Sequence, residues 1–451
     1  AVVSVDQRGN LGQHYTSVPN IMKVIEPLFL NELYEAFEKA KGDKKKLNDL
    51  LLRISKIKIF DPACGSGNFL IIAYKELRKL EMKILKELGV LAFSNISLSN
   101  FYGIEIDDFA HEIAQLSLWL AEHQMNVEFY NQFGRTNPTL PLREAGHIIQ
   151  GNACLIDWES VCPKKAEEEI FILGNPPYLG YAKQNKSQKS DMAKVFASVK
   201  DYKKLDYIAC WFYKGAKFVQ NSNSKYAFVT TNSITQGEQV ALLWPIIFNL
   251  ELEIGFAYQS FKWQNNAKSN AGVTVVIIGI QTLKPNPKKI FFENKYSLVS
   301  SINPYLIPVS KTIVISRNKA LSKLPLMIKG CSPGDGGNLL LNEQEKNQLI
   351  EEYPNSEQYI KTYIGADEFL KKNPRYCIWV EKDDYENAKQ ITQINERFNK
   401  VRELRLKSKK EATRLKASTP YAFDEKKYKA TNSIIFPQTT SENREYIPIG
   451  F

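Results

Sequence analysis

The chain has 451 residues, of which 43% are hydrophobic and 12% aromatic, enough apolar material for more than one folded core. Its formal net charge is +11, and the excess is uneven: residues 1–285 carry a net +3 and residues 286–451 a net +8. No apolar run is long enough to cross a membrane, and the six cysteines show no paired spacing, which argues against a membrane protein, a disulfide framework and a zinc site. The composition predicts a protein of at least two domains whose C-terminal third binds an anionic partner.

The first motif along the chain leads from a short apolar strand into a glycine loop. Residues 58–60 precede the string DPACGSGNFL at 61–70, and a helix is predicted from there to about Leu88. Gly65 and Gly67 allow the backbone to approach a ligand closely. No Gly-Lys-Ser/Thr follows, and the aspartate would repel phosphate, so the loop favours a cationic or amine-bearing ligand.

A second apolar strand, at residues 101–105, ends in acid. A carboxylate at the end of such a strand can accept both hydroxyls of a ribose, which makes Glu105 the expected ribose ligand. It lies 44 residues after Asp61, where a compact dinucleotide unit has about 20, because a long helix and a polar loop intervene. The alternative role, a carboxylate at a helix N-terminus, better suits Asp107 and Asp108.

The most specific segment is GNPPY at 174–178, which follows an apolar run typical of a buried parallel strand. Proline fixes φ and lacks an N–H, so this corner presents its carbonyls and the asparagine side chain at the carboxyl edge of the sheet. The Asn175 oxygen and the Pro176 carbonyl can accept both hydrogens of an exocyclic amine, and the Tyr178 ring offers a face on which a base can stack. The alternative is a proline turn that merely closes a strand.

Together these motifs resemble the S-adenosylmethionine-dependent N6-adenine DNA methyltransferases of the gamma arrangement. Residues 61–70 match that family's cofactor loop, and residues 175–178 match its catalytic Asn-Pro-Pro-Tyr. Finer detail resembles the MmeI-like, type IIL restriction-modification enzymes, and the similarity covers nearly the whole chain. The strings that carry it include TNSITQG at 231–237, FKWQNNAK at 261–268, DGGNL at 335–339 and YIPIGF at 446–451.

The resemblance implies an α/β, Rossmann-like methyltransferase sheet that binds S-adenosylmethionine. A segment that includes Tyr15 and Thr16 resembles the element that closes over the methionine end of the cofactor. Asn152 stands where many relatives carry Asp as acceptor for the cofactor's adenine amine, a role its side-chain oxygen can also fill. The implied cofactor-binding residues are Tyr15, Thr16, Asp61, Ala63, Cys64, Gly65, Gly67, Asn68, Phe69, Glu105, Ile106, Asn152, Ala153 and Asn175.

The resemblance also implies a mechanism based on positioning, with Asn175, Pro176, Pro177 and Tyr178 as catalytic residues. The target adenine must leave the DNA stack, because its amine is inaccessible within a duplex. Phe261 or Trp263 is predicted to cover the second face of the base, with core packing as the alternative for either ring. Neither a metal nor a covalent nucleophile is predicted.

The chain is predicted to divide into a helical segment at 1–50, a methyltransferase domain at 51–285 and an incomplete target-recognition domain of mixed α/β structure at 286–451. The last boundary is predicted at Pro285-Asn286-Pro287. Beyond it, the clearest element is a helix from about Tyr385 to Ala417 with an apolar stripe. Residues 397–416 carry nine Lys/Arg against two Glu, which predicts contacts to DNA phosphates from Arg402, Arg405 and Lys409 or, alternatively, a solvated flank.

Three other functions stay open at this point: N4-cytosine methylation, methylation of RNA or of protein glutamine, and a binding module with a degenerate cofactor fold. The resemblance favours double-stranded DNA as the partner, no metal and no membrane. It also implies a prokaryotic, cytoplasmic protein associated with the nucleoid, and a nuclease region elsewhere in the same full-length polypeptide.

Overall fold

The computed structural model describes residues 17–90, 93–135, 146–165, 167–263, 273–293, 295–310, 312–317, 319, 321–323, 327–438, 440 and 444–451. The chain divides into two compact units, with the division after residue 317. Unit 1 is built on a nine-stranded sheet and unit 2 on a three-stranded sheet. The predicted α/β fold class is confirmed.

The described part of unit 1 opens with three helices joined by a π-helical turn and a short loop, and then alternates strands with helices. Its helices are α1 (Val18–Ile25), α2 (Asn31–Ala40), α3 (Lys44–Lys56), α4 (Asn68–Leu88), α5 (Asp108–Phe133), α6 (Trp158–Val161), α7 (Lys186–Val195), α8 (Ala209–Val219) and α9 (Gly237–Phe248). Its strands are β1 (Lys58–Asp61), β2 (Phe101–Glu105), β3 (His147–Gln150), β4 (Ile170–Gly174), β5 (Lys225–Thr231), β6 (Leu252–Trp263), β7 (Val273–Thr282), β8 (Lys288–Phe292) and β9 (Lys295–Val299). The strands predicted at residues 58–60, at residues 101–105 and in the apolar run before residue 174 are confirmed, as is the helix predicted to end near Leu88.

The order of strands in the large sheet is β3-β2-β1-β4-β5-β7-β6-β8-β9. Strands β1 to β5 are parallel, whereas β7 runs antiparallel to both β5 and β6. The chain leaves β1 on one side to form β2 and β3, and then forms β4 and β5 on the other side. Connections that diverge in this way open a crevice at the carboxyl ends of β1 and β4.

Alternating side chains of the strands pack into two separate cores. Ile59 of β1 lies in the core beneath α1 to α5, and its neighbour Phe60 lies in the core beneath α6 to α9. Strand β4 alternates in the same way, with Phe171 on the first face and Ile172 on the second. Burial on both faces explains why these strands are apolar throughout.

The predicted domain boundary at residue 285 is too early, because β8 and β9 continue the large sheet. Strand β8 pairs with β6 and then with β9. The Lys288 ammonium, which is almost fully buried, donates to the carbonyls of Lys284 and Asn286 and pairs with Glu253 at 2.8 Å. The two prolines therefore lie in a turn within unit 1. Helices α1 to α3 also belong to unit 1, since they pack on its first core.

Unit 2 contains an antiparallel sheet in the order β10-β12-β11. Its elements are β10 (Leu340–Leu341), α10 (Glu343–Glu352), β11 (Ile360–Tyr363), α11 (Ala366–Lys371), β12 (Arg375–Ile378), α12 (Tyr385–Ala388), α13 (Thr392–Leu406) and α14 (Glu411–Leu415). The single helix predicted from Tyr385 to Ala417 is wrong. Ile391 is extended and buried in the core, and the chain leaves the helix again after Leu406. In the described part of the chain, no helix combines the length and apolarity needed to span a bilayer.

Candidate active site

The glycine loop connects β1 to α4 at the crevice. Gly65 and Gly67 both have positive φ, 54° and 82°, which other residues rarely adopt. The loop is tied to β2, because the Cys64 N–H donates to the Ile104 carbonyl at 3.1 Å. The Cys64 side chain points into the core against Gly103, where an added Cβ would lie 3.0 Å from the sulfur. Only the backbone of Cys64 can therefore face a ligand, and burial raises the pKa of its thiol.

Asp61, at the end of β1, is buried against the end of β4. Its Oδ1 accepts the Ala63 N–H at 3.0 Å, whereas its Oδ2 is buried and has no hydrogen-bond partner in the part of the chain that the structure describes. A Cβ added to Gly174 would lie 2.5 Å from Asp61 Oδ1, so only glycine allows the two strand ends to approach this closely. Burial raises the pKa of the Asp61 carboxyl to about 8. The hydrogen bond from Ala63 lowers this pKa but does not offset the effect of burial.

Glu105 ends β2 beside the loop, as predicted. Its carboxylate accepts the Gly65 N–H at 2.8 Å and the Asp107 N–H at 2.9 Å. Burial raises the pKa of this carboxyl. Each oxygen has a second lone pair, so the group can still accept a ligand hydroxyl. Asp107 caps α5 by accepting the Ala110 N–H at 2.8 Å, which agrees with the role expected for it.

The other loop and strand-end residues are divided between the crevice and the core. Ile106 is exposed, whereas Phe69 is buried in the first core. The Asn68 amide contacts the Ser66 hydroxyl at 3.3 Å. Tyr15 and Thr16, predicted to close over the cofactor, lie outside the described residues.

Asn152 follows β3 and is already engaged within the protein. Its side-chain oxygen accepts the Cys154 N–H at 2.9 Å, and its amide nitrogen donates to Asp191 at 3.0 Å. The neighbouring Ala153 carbonyl accepts from Trp158 Nε1 and from the Lys214 ammonium. The oxygen of Asn152 therefore has one lone pair left for a cofactor amine, whereas the Ala153 carbonyl already accepts from two side chains.

The corner at residues 175–178 is the predicted catalytic motif, and it begins directly beside Asp61. Asn175 Oδ1 is buried and finds no hydrogen-bond partner among the residues that the structure describes. Pro176 is buried, and Pro177 and Tyr178 are half-buried. Two acceptor oxygens without donors, Asp61 Oδ2 and Asn175 Oδ1, thus belong to the ends of the adjacent strands β1 and β4. Buried polar atoms of this kind are rare unless a ligand pairs with them.

Two residues near the site carry no motif and were missed by sequence reasoning. Asp206 accepts the N–H of Leu179, the residue after Tyr178, at 2.8 Å. Trp211 Nε1 donates to the Pro62 carbonyl of the glycine loop at 3.1 Å. The only signal for Asp206 is its place before an apolar helix, which is typical of a cap.

The two aromatic residues predicted to cover a target base lie on β6. Trp263 is buried in the first core, so it fits the core-packing alternative. Phe261 is half-buried beside Tyr258 and Trp263, and the Lys23 ammonium lies 5.9 Å from its ring centroid. Phe261 thus keeps partial exposure, whereas Trp263 does not.

The three basic residues predicted to contact phosphate differ sharply in exposure. Arg402 and Lys409 are exposed, but Arg405 is only 1% exposed. The Arg405 guanidinium donates to the carbonyls of Pro333, Gly334, Lys416, Thr419 and Ala422. The prediction is therefore wrong for Arg405, because five internal acceptors hold its charge inside unit 2.

Known DNA methyltransferases are similar to this chain over most of its length. A family model for the MmeI DNA-methyltransferase domain matches residues 37–293, and one for the MmeI target recognition domain matches residues 308–451. A "DNA methyltransferase A" of Bacillus subtilis strain 168 is 50% identical over the whole chain, which spans 52% of that protein. The structure of the type IIL restriction-modification enzyme MmeI in complex with DNA is 42% identical, with a TM-score of 0.90; the match covers 100% of this chain and 62% of that one.

The fold and these matches define the class of the protein. It has a DNA-methyltransferase domain followed by a target recognition domain. The chain belongs to the MmeI family. It spans only about half the length of its B. subtilis relative.

Proposed function

We propose that this chain transfers a methyl group from S-adenosylmethionine to the N6 amine of an adenine flipped out of double-stranded DNA. We further propose that it does so as part of a type IIL restriction-modification enzyme. The observation that carries the proposal is a pair of buried oxygens, Asp61 Oδ2 and Asn175 Oδ1, at the ends of adjacent strands; neither has a donor among the described residues. An acceptor left unpaired in the protein interior costs about 1 to 3 kcal/mol, which a ligand donor can recover.

The crevice fits the proposed cofactor. Asp61 Oδ2, which has no partner among the described residues, suits a cationic, amine-bearing molecule. The glycine loop leaves room for close contact, since a Cβ at Gly65 would meet nothing within 4 Å. Glu105 retains lone pairs for ribose hydroxyls, and Asn152 retains one for an adenine amine. When bound, S-adenosylmethionine supplies an electrophilic methyl group.

The corner residues then act on the target amine. An adenine amine is delocalised into its ring and is a poor nucleophile. If Asn175 Oδ1 and the Pro176 carbonyl accept its two hydrogens, its nitrogen is drawn towards tetrahedral geometry and its lone pair is directed at the methyl group. Tyr178 stacks on the flipped base, and Phe261 is the remaining candidate for the second face.

Unit 2 supports DNA as the substrate rather than RNA or a protein. It corresponds to the target recognition domain of a family whose member MmeI has been seen in complex with DNA. Its exposed Arg402 and Lys409 are suited to phosphate contact. We place the enzyme in the prokaryotic cytoplasm, where chromosomal DNA lies. A nuclease region in the same full-length polypeptide stays a prediction.

The proposal is tested with DNA from a host that lacks adenine methylation. The protein is incubated with this DNA and S-adenosylmethionine, and the digested nucleosides are analysed by mass spectrometry. We expect N6-methyladenine. N4-methylcytosine alone would contradict the adenine assignment, because the same corner can hold a cytosine amine.

Asn175→Ala provides the matched control. Turnover should fall by about 10²-fold or more, because one positioned acceptor is lost. Cofactor affinity by calorimetry should change little, since the glycine loop is intact. Near-normal turnover in this variant would remove Asn175 from the catalytic role.

A further inference from the structure

Leu179 follows Tyr178, whose ring is proposed to stack on the base. Both the N–H and the carbonyl of Leu179 are hydrogen-bonded to residues that no sequence motif predicts. Its N–H donates to Asp206 Oδ1 at 2.8 Å. Its carbonyl accepts the Tyr207 N–H at 3.0 Å and the Gln184 amide at 3.0 Å. The same amide of Gln184 also donates to the Leu205 carbonyl at 3.0 Å, so the corner is clamped to the segment that precedes α8.

The Asp206 carboxylate lies at the centre of this clamp and is only 5% exposed. Its second oxygen contacts the Ser233 hydroxyl at 3.4 Å, and Ser233 in turn contacts Thr231 at the end of β5 at 2.7 Å. Its own backbone N–H donates to the Gln239 side chain at 3.0 Å. One buried carboxylate thus joins the corner after β4 to the end of β5, two neighbouring strands at the crevice.

A helix cap explains only part of this geometry. Asp206 Oδ1 does accept the Ile208 N–H at 3.2 Å, as a cap before α8 would. The shorter bond, however, goes to Leu179, 27 residues earlier in the chain. Capping requires no such contact, and it requires no link to Ser233. The Asp206 carboxylate also affects the half-buried Tyr178. Burial and, to a smaller extent, the charge of Asp206 raise the pKa of the Tyr178 hydroxyl.

We propose that Asp206 is a positioning residue that holds the Tyr178 ring in the orientation needed to stack on the flipped base. The inference rests on the proposed function. The hydrogen bond to the Leu179 N–H fixes the orientation of the peptide group that follows Tyr178. That orientation determines the direction in which the ring projects from the corner. Loss of the carboxylate frees this peptide while leaving Asp61, Glu105 and Asn175 untouched.

The first test compares turnover of the wild type with Asp206→Ala and Asp206→Asn at saturating DNA and cofactor. Asp206→Ala should lower kcat by about 10- to 100-fold, because small misplacements of a positioned group have effects of this size. Asp206→Asn should recover most of the loss, since its amide oxygen still accepts the Leu179 N–H. Glu238→Gln is the control, because it removes only an exposed ion pair with Lys204 and should leave kcat unchanged.

The decisive test is a double-mutant cycle with Tyr178→Ala. If Asp206 acts through the ring, Asp206→Ala should cost almost nothing further once the ring is absent, because residues that act as one unit are not additive. Cofactor affinity by calorimetry should stay within about twofold in every variant. If Asp206→Ala does not fold, Gln184→Ala removes the other side-chain contact to Leu179 and enters the same cycle.

The outcomes separate the two proposals. Transfer to cytosine by the wild type would overturn the adenine assignment, and the cycle would still report on the ring. Normal turnover in Asp206→Ala, additive losses with Tyr178→Ala, or a parallel loss of cofactor affinity would each overturn the positioning role of Asp206.

Discussion

The two units differ in the buried polar side chains that they leave unpaired. In unit 2, Arg405 donates to five backbone carbonyls, and Asp335 accepts the N–H groups of Gly337 and Leu339. In unit 1, Asp61 and Asn175 each bury a side-chain oxygen that has no partner. Among the described residues, the buried side-chain atoms without partners all belong to unit 1.

This difference distinguishes a scaffold from a site. A buried charge that is fully paired can contribute little to ligand binding, because its hydrogen-bonding capacity is already used. Its removal instead leaves several partners unpaired and destabilises the fold. An unpaired buried acceptor instead destabilises the ligand-free protein and is available to a ligand. We therefore expect Arg405 to govern stability, and Asp61 and Asn175 to govern binding and catalysis.

The largest effect is expected from Arg405→Met. Five carbonyls would lose their donor, so the free energy of unfolding of unit 2 should fall by about 3 to 5 kcal/mol. Urea unfolding of the whole chain, followed by a probe in unit 2, measures this value. The exposed Arg402→Met should shift it by no more than about 0.5 kcal/mol. Equal effects of the two variants would contradict the structural role of Arg405.

Glu105→Ala should weaken cofactor binding by about 1 to 3 kcal/mol, as the loss of charged hydrogen bonds does. The measurement is calorimetry with S-adenosylmethionine. Glu112→Ala is a suitable control, because Glu112 is an exposed acid on the first turns of α5. Unchanged affinity in Glu105→Ala would mean that the ribose ligand lies elsewhere.

Asp61→Asn should stabilise the ligand-free protein while weakening cofactor binding. The folded-state pKa of Asp61 is raised to about 8, above the unfolded value of about 4, so its contribution to stability is present at low pH and is lost as pH rises through 8. The variant should therefore gain about 1 to 3 kcal/mol over the wild type at pH 8 and much less at pH 5. Urea unfolding at both pH values measures this, and a gain independent of pH would show that Asp61 does not titrate as described.

The smallest effect concerns the surface of unit 2. The double variant Arg402→Ala/Lys409→Ala should reduce the slope of log DNA affinity against log salt by about two, since each phosphate contact contributes about one. Arg405 should contribute nothing to this slope. Titrations at several salt concentrations decide the matter, and an identical slope would assign these residues to a solvated flank.

Local sequence was sufficient for much of unit 1. The apolar strands, the glycine loop and the Asn-Pro-Pro-Tyr corner could be predicted because strand burial, positive φ and the rigidity of proline are properties of a few consecutive residues. Their meeting at one edge also followed, since carboxyl ends of parallel strands converge. The sequence by itself thus determined the fold class and singled out the principal residues proposed for the site.

Tertiary structure decided what depends on contacts between distant segments. Arg405 and Arg402 are alike in sequence, but only the fold brings five carbonyls around the first. The prolines near residue 285 suggested a domain boundary. The buried Lys288 ammonium instead donates to the carbonyls of Lys284 and Asn286, so the prolines lie in a turn between two strands of the large sheet. Asp206 looks like a simple helix cap until Leu179 is placed 2.8 Å from it. Burial and hydrogen-bond partners are set by such long-range packing, which short-range sequence patterns do not encode.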